Sequence, residues 1–394
     1  MKNKKKYLVA TILFISITTL FGPYVKQQIV AKIDKGIISR IKTIQRDQHN
    51  NSLAIANLNT FNEKLRTGLR KGLFFDFPPN QYIFQQHKNK SNIPYSIVTM
   101  RKYNSLSICL KKIDTHEIVY KNTIVQIHNR NIRGLIKDVP IGFYDLYIMD
   151  GEKSDYYIHK VGVGNVFLVA GQSNAMSSAQ NHPPYYSKTG LVSVNALYKQ
   201  PVKNFNQFII PLIKSPIRSN ISWLYCGDLL VEKYSMPVSF INVAAGSTNT
   251  NKWNPETDFL FNRIKKVLES RNVKAILWHQ GESDFIEKIP YEVSYENMKK
   301  MITESQKINP ETKWFIALNS MKTNQPLENI EIRKAQKAII ETGLAFTGPD
   351  TDVLRKNDKW VEPSGGHFVG EGLRRHGELW FEVLSHYLDS EIKN

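Results

Sequence analysis

Polar and apolar positions separate sharply at the start of the chain, where Lys2, Lys4, Lys5 and Lys6 precede an uncharged, largely apolar run from Tyr7 to Val25. That run is about as long as a helix must be to cross a bilayer core. It ends Leu20-Phe21-Gly22-Pro23-Tyr24, without the small-x-small pattern of a cleavage site. Residues 1–25 are therefore expected to be a membrane anchor in preference to a removed signal segment. The leading lysines place the short end in the cytoplasm, although Lys26, Lys32, Lys35, Arg40 and Lys42 beyond the run weaken the asymmetry. From 26 to 77 the chain is polar and basic. Ile29, Ile33, Ile37, Ile38 and Ile41 give it partial helical spacing, which predicts a stalk.

Beyond Pro78-Pro79 the period shortens to two. Leu106, Ile108 and Leu110 alternate with Ser105, Ser107 and Cys109, while Tyr144, Leu146 and Ile148 alternate around Asp145 and Tyr147. Similar runs at 95–100, 117–128 and 155–161, separated by Asn, Asp, Gly and Pro clusters, predict half-buried strands. Residues 78–162 are thus expected to form an antiparallel β-sandwich-like accessory domain.

After Gly164 the pattern changes again. Val166–Val169, Val238–Val243, Val273–Trp278 and Trp314–Leu318 are continuous apolar runs, suited to strands buried on both faces. Between and after them Leu260, Ile264, Val267 and Leu268, then Met298, Met301 and Ile302, then Leu373, Trp380 and Leu384 follow helical spacing. Strands alternating with helices predict an α/β domain with a parallel sheet over residues 163–394. In such a sheet ligands bind outside the carboxyl ends of the strands.

Charge and cysteine content narrow the partners. The net charge is +18. Residues 1–72 carry 14 Lys and Arg against three Asp and Glu, a net +11, which leaves +7 for the rest. A basic excess beside an apolar span fits anionic lipid headgroups, so a membrane rather than a nucleic acid is the expected partner. Cys109 and Cys226 fall in different predicted domains, without metal or redox spacing.

Three predicted strands end in small or polar residues: Gly171-Gln172-Ser173-Asn174-Ala175, Ala244-Ala245-Gly246-Ser247-Thr248 and His279-Gln280-Gly281-Glu282-Ser283-Asp284. These turns should meet at one crevice. Ser173, in a tight turn directly after a strand, is placed as a nucleophile, with backbone N–H groups near it to face an oxyanion. A serine hydroxyl needs a base to remove its proton, and that base needs a third group to orient it. His367, in Ser364-Gly365-Gly366-His367-Phe368 before the last amphipathic segment, is the best candidate for the base. Alone, a Gly-x-Ser-x-Ala turn or a histidine after two glycines is ordinary loop chemistry.

Taken together, Gly171-Gln172-Ser173-Asn174-Ala175 and Trp278-His279-Gln280-Gly281-Glu282 resemble the sialate O-acetylesterase and acetylxylan esterase group of SGNH hydrolases, over roughly residues 163 to 388. Asn242-Val243-Ala244-Ala245-Gly246, Ile332-Arg333-Lys334-Ala335-Gln336 and Gly366-His367-Phe368 with Glu371-Gly372 follow in that family's order. The resemblance implies a flavodoxin-like sheet, no metal or other cofactor, a Ser173–His367 pair, and an oxyanion hole from the Ser173 N–H, the Gly246 N–H and the Gln280 side-chain amide. It departs at one position. The family has Asp three residues before the histidine, where this chain has Ser364. Glu282 is the first candidate for the third triad member, Glu362 and Asp352 are alternatives, and help from a backbone carbonyl stays open. Trp253 and Tyr185-Tyr186 are candidates to stack on a sugar ring. Arg333 and Gln336 are candidates to support the site.

The resulting expectation is a membrane-anchored serine esterase that removes O-acetyl groups from a carbohydrate, of sialic acid or of an envelope or plant polysaccharide, on the extracytoplasmic side. Two alternatives share the sequence signals: an O-acetyltransferase on the same fold, and a catalytically degraded glycan-binding module.

Overall fold

A computed structural model of the chain describes residues 73–393, apart from 100–101, 128–130, 152, 178–184, 186, 197–219, 257–259, 322–327 and 329. The expected anchor at 1–25 and most of the stalk lie outside the described residues. Among those described, no helix is long and apolar enough to cross a membrane.

The first part is built from strands. β1 (Leu73–Phe77), β2 (Tyr82–Gln85), β3 (Lys90–Thr99), β4 (Tyr103–Lys112), β5 (Ile118–Ile127), β6 (Asn131–Pro140) and β7 (Gly142–Asp150) precede a 19-residue strand, β8 (Lys153–Gly171). β1-β3-β6 form one antiparallel sheet, while β5-β4-β7 continue antiparallel onto the first half of β8. Alternation explains the packing. Ile93, Tyr95 and Ile97 of β3 meet Leu106, Ile108 and Leu110 of β4 and Leu146 and Ile148 of β7 in one buried cluster.

Two boundaries differ from the sequence expectation. Leu73–Phe77, assigned to the end of the stalk, is strand β1, paired with β3. The boundary expected at residue 163 falls inside a strand, because β8 runs unbroken from the sandwich into the parallel sheet. Where it crosses, Gln85 Oε1 accepts a bond from the Val166 N–H at 2.8 Å, and the Arg271 guanidinium lies 4.0 Å over the Tyr82 ring.

The second part comprises α1 (Ser173–Met176), β9 (Val192–Ala196), α2 (Ile221–Tyr234), β10 (Val238–Asn242), α3 (Phe261–Ser270), β11 (Ala275–His279), α4 (Glu282–Ile286), α5 (Tyr291–Ile308), β12 (Lys313–Leu318), α6 (Glu331–Glu341), β13 (Phe346–Asp350) and α7 (Glu371–Lys393). The strand order is β10-β8-β11-β12-β13, all parallel, with β9 outside β10. With β9 set aside and β8 counted as the first strand, this is the 2-1-3-4-5 order of flavodoxin-like sheets.

The apolar runs have a direct cause. Val166, Leu168, Ile276, Trp278, Trp314 and Ile316 enter a core under α3, α5 and α6. Their alternates Phe167, Val169, Leu277, Phe315 and Ala317 enter a second core under α2 and α7. With both faces covered, neither set of positions tolerates polarity. In register His279 sits opposite Gly171, and Asn242 opposite Val169, so the carboxyl ends of the central strands are level and their loops share one edge.

Gly171 is required there. Its φ is +126°, and a Cβ at this position would lie 2.0 Å from the His279 carbonyl oxygen. Gly171→Ala is expected to cost at least about 2 kcal/mol from backbone strain and displacement of β11. A thermal melt within a degree or two of wild type would contradict this.

Candidate active site

The level strand ends carry the three turns noted in the sequence. Ser173 opens α1 immediately after β8. The Gln172 N–H donates to the His279 carbonyl at 3.0 Å, and the Ala245 N–H to the Gly171 carbonyl at 2.9 Å, so the three turns are tied through backbone. Asn242, wholly buried, donates to the Ala175 carbonyl at 2.8 Å and accepts from the Ala244 N–H at 3.0 Å. A Cβ at Gly246 would lie 3.8 Å from the Ser173 Cβ, so the Gly246 backbone stands beside the serine. Neither the Ser173 nor the Gly246 amide donates to another described residue.

His367 reaches the same edge from the loop before α7. Its Nε2 lies 2.9 Å from Ser173 Oγ, and its Nδ1 lies 2.7 Å from Glu362 Oε1. The carboxylate behind the histidine is therefore Glu362. Ser364, at the position where the resemblance leads one to look for Asp, donates its hydroxyl to Glu362 Oε1 at 2.6 Å and accepts the Gly366 N–H at 3.2 Å. Burial pushes the Glu362 carboxyl up, but the Ser364 hydroxyl and then the His367 imidazole outweigh it and hold the group below the ordinary glutamate value. It stays ionised at neutral pH.

Two expected residues stand elsewhere. Glu282 does not face His367. It is buried, accepts from Asn174 Nδ2, from Asn319 Nδ2 at 2.6 Å and from Arg355 Nη2 at 2.8 Å. The reason is its position in the first turn of α4, below the sheet edge, where a buried carboxylate requires a cation. Gln280 is also turned away. Its Nε2 donates to Asp284 Oδ1 at 2.5 Å and to the Thr248 carbonyl at 3.4 Å, which uses both amide hydrogens. Asp352 is bound by Ser320, Arg333 and Arg355 instead of the histidine.

The supporting residues are clearer in three dimensions. Asn174 donates to the Gly366 carbonyl at 2.9 Å and accepts the Phe368 N–H at 3.2 Å, gripping the backbone on both sides of His367. Arg333 pairs with Asp350 at 2.8 Å and with Asp352 at 2.9 Å. Gln336 bridges the Gln280 and Asn319 carbonyls at 2.9 and 3.1 Å. Trp253 is fully buried, edge-on to Trp278 with its Nε1 donating to Thr248, and presents no face to a sugar. Tyr185 packs on Tyr225 and donates to Asp228 at 2.9 Å, while Tyr186 lies outside the described residues.

Beneath the site two buried histidines meet. His376 Nε2 lies 2.9 Å from His279 Nδ1 and accepts from Trp380 Nε1 at 3.1 Å, while His376 Nδ1 has no partner among the described residues. Burial, reinforced at His376 by its neighbour, lowers the pKa of His279 and takes that of His376 well below the ordinary value. The unfolded chain binds these protons near pH 6.5 and the folded chain does not, so stability is complete above that pH and falls below it. The expected loss is up to about 1.4 kcal/mol per histidine for each pH unit below 6.5, until the folded-state value is reached. A melting temperature unchanged between pH 7.5 and 5.5 would exclude it.

A family model described as carbohydrate esterase, sialic acid-specific acetylesterase, matches residues 163–382. Among solved structures, a carbohydrate acetylesterase from Xanthomonas citri is similar at 15% identity with a TM-score of 0.51, covering 78% of this chain and 74% of that one. A psychrotrophic esterase from a Pseudoalteromonas species is similar at 11% identity and TM-score 0.40, covering 57% of this chain and 99% of its own. A family two carbohydrate esterase from Cellvibrio japonicus is similar at 11% identity and TM-score 0.37, covering 80% and 98%. No curated protein sequence matches the chain.

Proposed function

This chain belongs to the sialic acid-specific acetylesterase family of carbohydrate esterases and is a carbohydrate acetylesterase, and from that premise we propose that it works through an acyl-enzyme on Ser173. His367 Nε2 takes the hydroxyl proton as Ser173 Oγ attacks the acetyl carbonyl. Glu362 holds the imidazole by its Nδ1–H and stabilises the imidazolium. The Ser173 and Gly246 N–H groups receive the oxyanion. Collapse of the tetrahedral intermediate breaks the ester bond, and His367 returns its proton to the departing sugar oxygen. A water, deprotonated by His367, then attacks the acetyl-serine; collapse expels Ser173 Oγ, which takes that proton back from His367, and releases acetic acid, which ionises to acetate.

The observation that supports this reading best is the continuous set of contacts Ser173 Oγ to His367 Nε2 at 2.9 Å and His367 Nδ1 to Glu362 at 2.7 Å. The substrate we propose is an O-acetylated glycan of the sialic acid or cell-envelope kind. The Tyr7–Val25 run and its basic neighbours support tethering at the membrane, with the site on the extracytoplasmic side.

The test is hydrolysis by the full chain, purified in mild detergent, of p-nitrophenyl acetate and a panel of O-acetylated sugars. Acetate and de-acetylated sugar in equal amounts are expected. Acetyl appearing on another sugar hydroxyl would identify a transferase. A folded protein that neither turns over ester nor reacts at Ser173 with a fluorophosphonate would sink the proposal.

A further inference from the structure

A loop with consecutive glycines, Gly365 and Gly366, has little backbone stiffness of its own, and the His367 side chain it carries is 46% exposed. Yet productive chemistry on Ser173 needs that imidazole held within a few tenths of an ångström. Asn174 grips its backbone on both sides, and a second group, beneath the loop, adds to that hold. Arg355, in the 3-10 helix Thr351–Lys356, is 1% exposed and lies beneath this loop.

We propose that Arg355 is a positioning residue for His367, acting through the Gly365–Phe368 backbone with Glu282 as its counter-charge. This rests on the reading of Ser173 and His367 as nucleophile and base. Arg355 Nη1 donates to the Gly365 carbonyl and, at 3.4 Å, to the Gly366 carbonyl. Its guanidinium carbon lies 5.1 Å from the Phe368 ring centroid. The residues before and after His367 are thus both held by one rigid planar fork. The opposite side of that fork is fixed: Nη2 donates to Glu282 at 2.8 Å and to Asn319 at 3.4 Å, and Nε to Asp352 at 3.1 Å.

Glu282 closes the arrangement, because the oxygen that accepts Arg355 also accepts Asn174, the residue after the nucleophile. A ring of contacts runs from Ser173 through Asn174, Glu282, Arg355 and the glycine carbonyls to His367, and back to Ser173. The separation of nucleophile and base is set by this buried ion pair as well as by their own hydrogen bond. Glu282 therefore influences the histidine without touching it.

Two variants test this. Arg355→Lys keeps a cation against Glu282 and Asp352 but loses the fork, and it is the variant expected to fold. Arg355→Met with Glu282→Gln removes both charges together, so neither is left buried alone. On p-nitrophenyl acetate, below the melting temperature of each protein, kcat is expected to fall about 100-fold in both, with KM little changed. Fluorophosphonate labelling of Ser173 should slow in parallel. Crystal structures of both variants should show the Ser173 Oγ to His367 Nε2 distance widened beyond about 3.5 Å. Wild-type kcat in either folded variant, or a fall in kcat with that distance unchanged, would overturn the proposal. If the wild type itself neither hydrolyses ester nor labels, the functional reading fails. The separation in the variants then decides the positioning role alone: widening upholds it, and no change overturns it.

Discussion

Replacing Ser173 with alanine is expected to lower kcat on p-nitrophenyl acetate by about 10⁵-fold or more, and His367→Ala by a similar factor. The two residues act as a unit. Ser173 is not nucleophilic while it holds its proton, and His367 has nothing to deprotonate without it, so the double variant should be no worse than either single one. Neither side chain bears on the core: Ser173 starts a four-residue helix at the sheet edge, and the His367 side chain is half exposed. Melting temperatures should therefore stay close to wild type. Rates measured with burst-phase detection, alongside thermal melts, check both halves. Residual activity within about tenfold of wild type in Ser173→Ala would place the nucleophile elsewhere.

Glu362 and Glu282 provide the second large contrast, because the same substitution should act on different quantities. Glu362→Gln keeps the size of the side chain. It can leave His367 in the wrong tautomer, with Nε2 carrying a proton and unable to accept one from Ser173. A fall in kcat of up to about 10⁴-fold is expected, with little change in stability. Glu282→Gln removes one of the two carboxylates paired with a guanidinium that is 1% exposed, and leaves Asp352 as the other. Losing one charged partner of a buried network in this way costs about 2 kcal/mol, so its first effect should be a lower melting temperature. The loss of kcat it shows while folded should be the smaller of the two. The reverse outcome, with Glu282→Gln inactive but stable and Glu362→Gln active, would return the orienting role to Glu282.

Why the sequence pointed to Glu282 first has a physical answer. Glu282 belongs to the same turn as His279 and Gln280, and that turn reaches the same edge of the sheet as Ser173, so its proximity to the site was legible. Its side chain is drawn under the edge by Arg355 and Asn319, partners 73 and 37 residues away. Gln280 is diverted likewise, by Asp284 one helical turn onward. Glu362 stood only as an alternative beside Asp352, since its role depends on a turn in which the Glu362 N–H bonds the His367 carbonyl at 2.9 Å and the Gly365 N–H the Glu362 carbonyl at 2.7 Å. One local sign was present. Ser364, standing where Asp was expected, left room for a longer acid two residues earlier.

Periodicity by itself determined β4, β5, β7, β8 and β10 to β12 but not β1, β2, β6, β9 or β13, because a strand covered on both faces must be apolar throughout and a half-covered one must alternate. The motifs likewise determined Ser173, Gly246 and His367 as neighbours, because turns at level strand ends have one edge to share. Other features were decided only by the tertiary structure. The continuation of β8 through both sheets depends on pairing with strands far apart in sequence. The choice of Glu362 over Glu282, and the use of Arg355 to hold the histidine loop, depend on which buried charges meet. Pattern along a chain records burial, whereas the partner of a buried charge is set by distances that exist only after the chain has closed on itself.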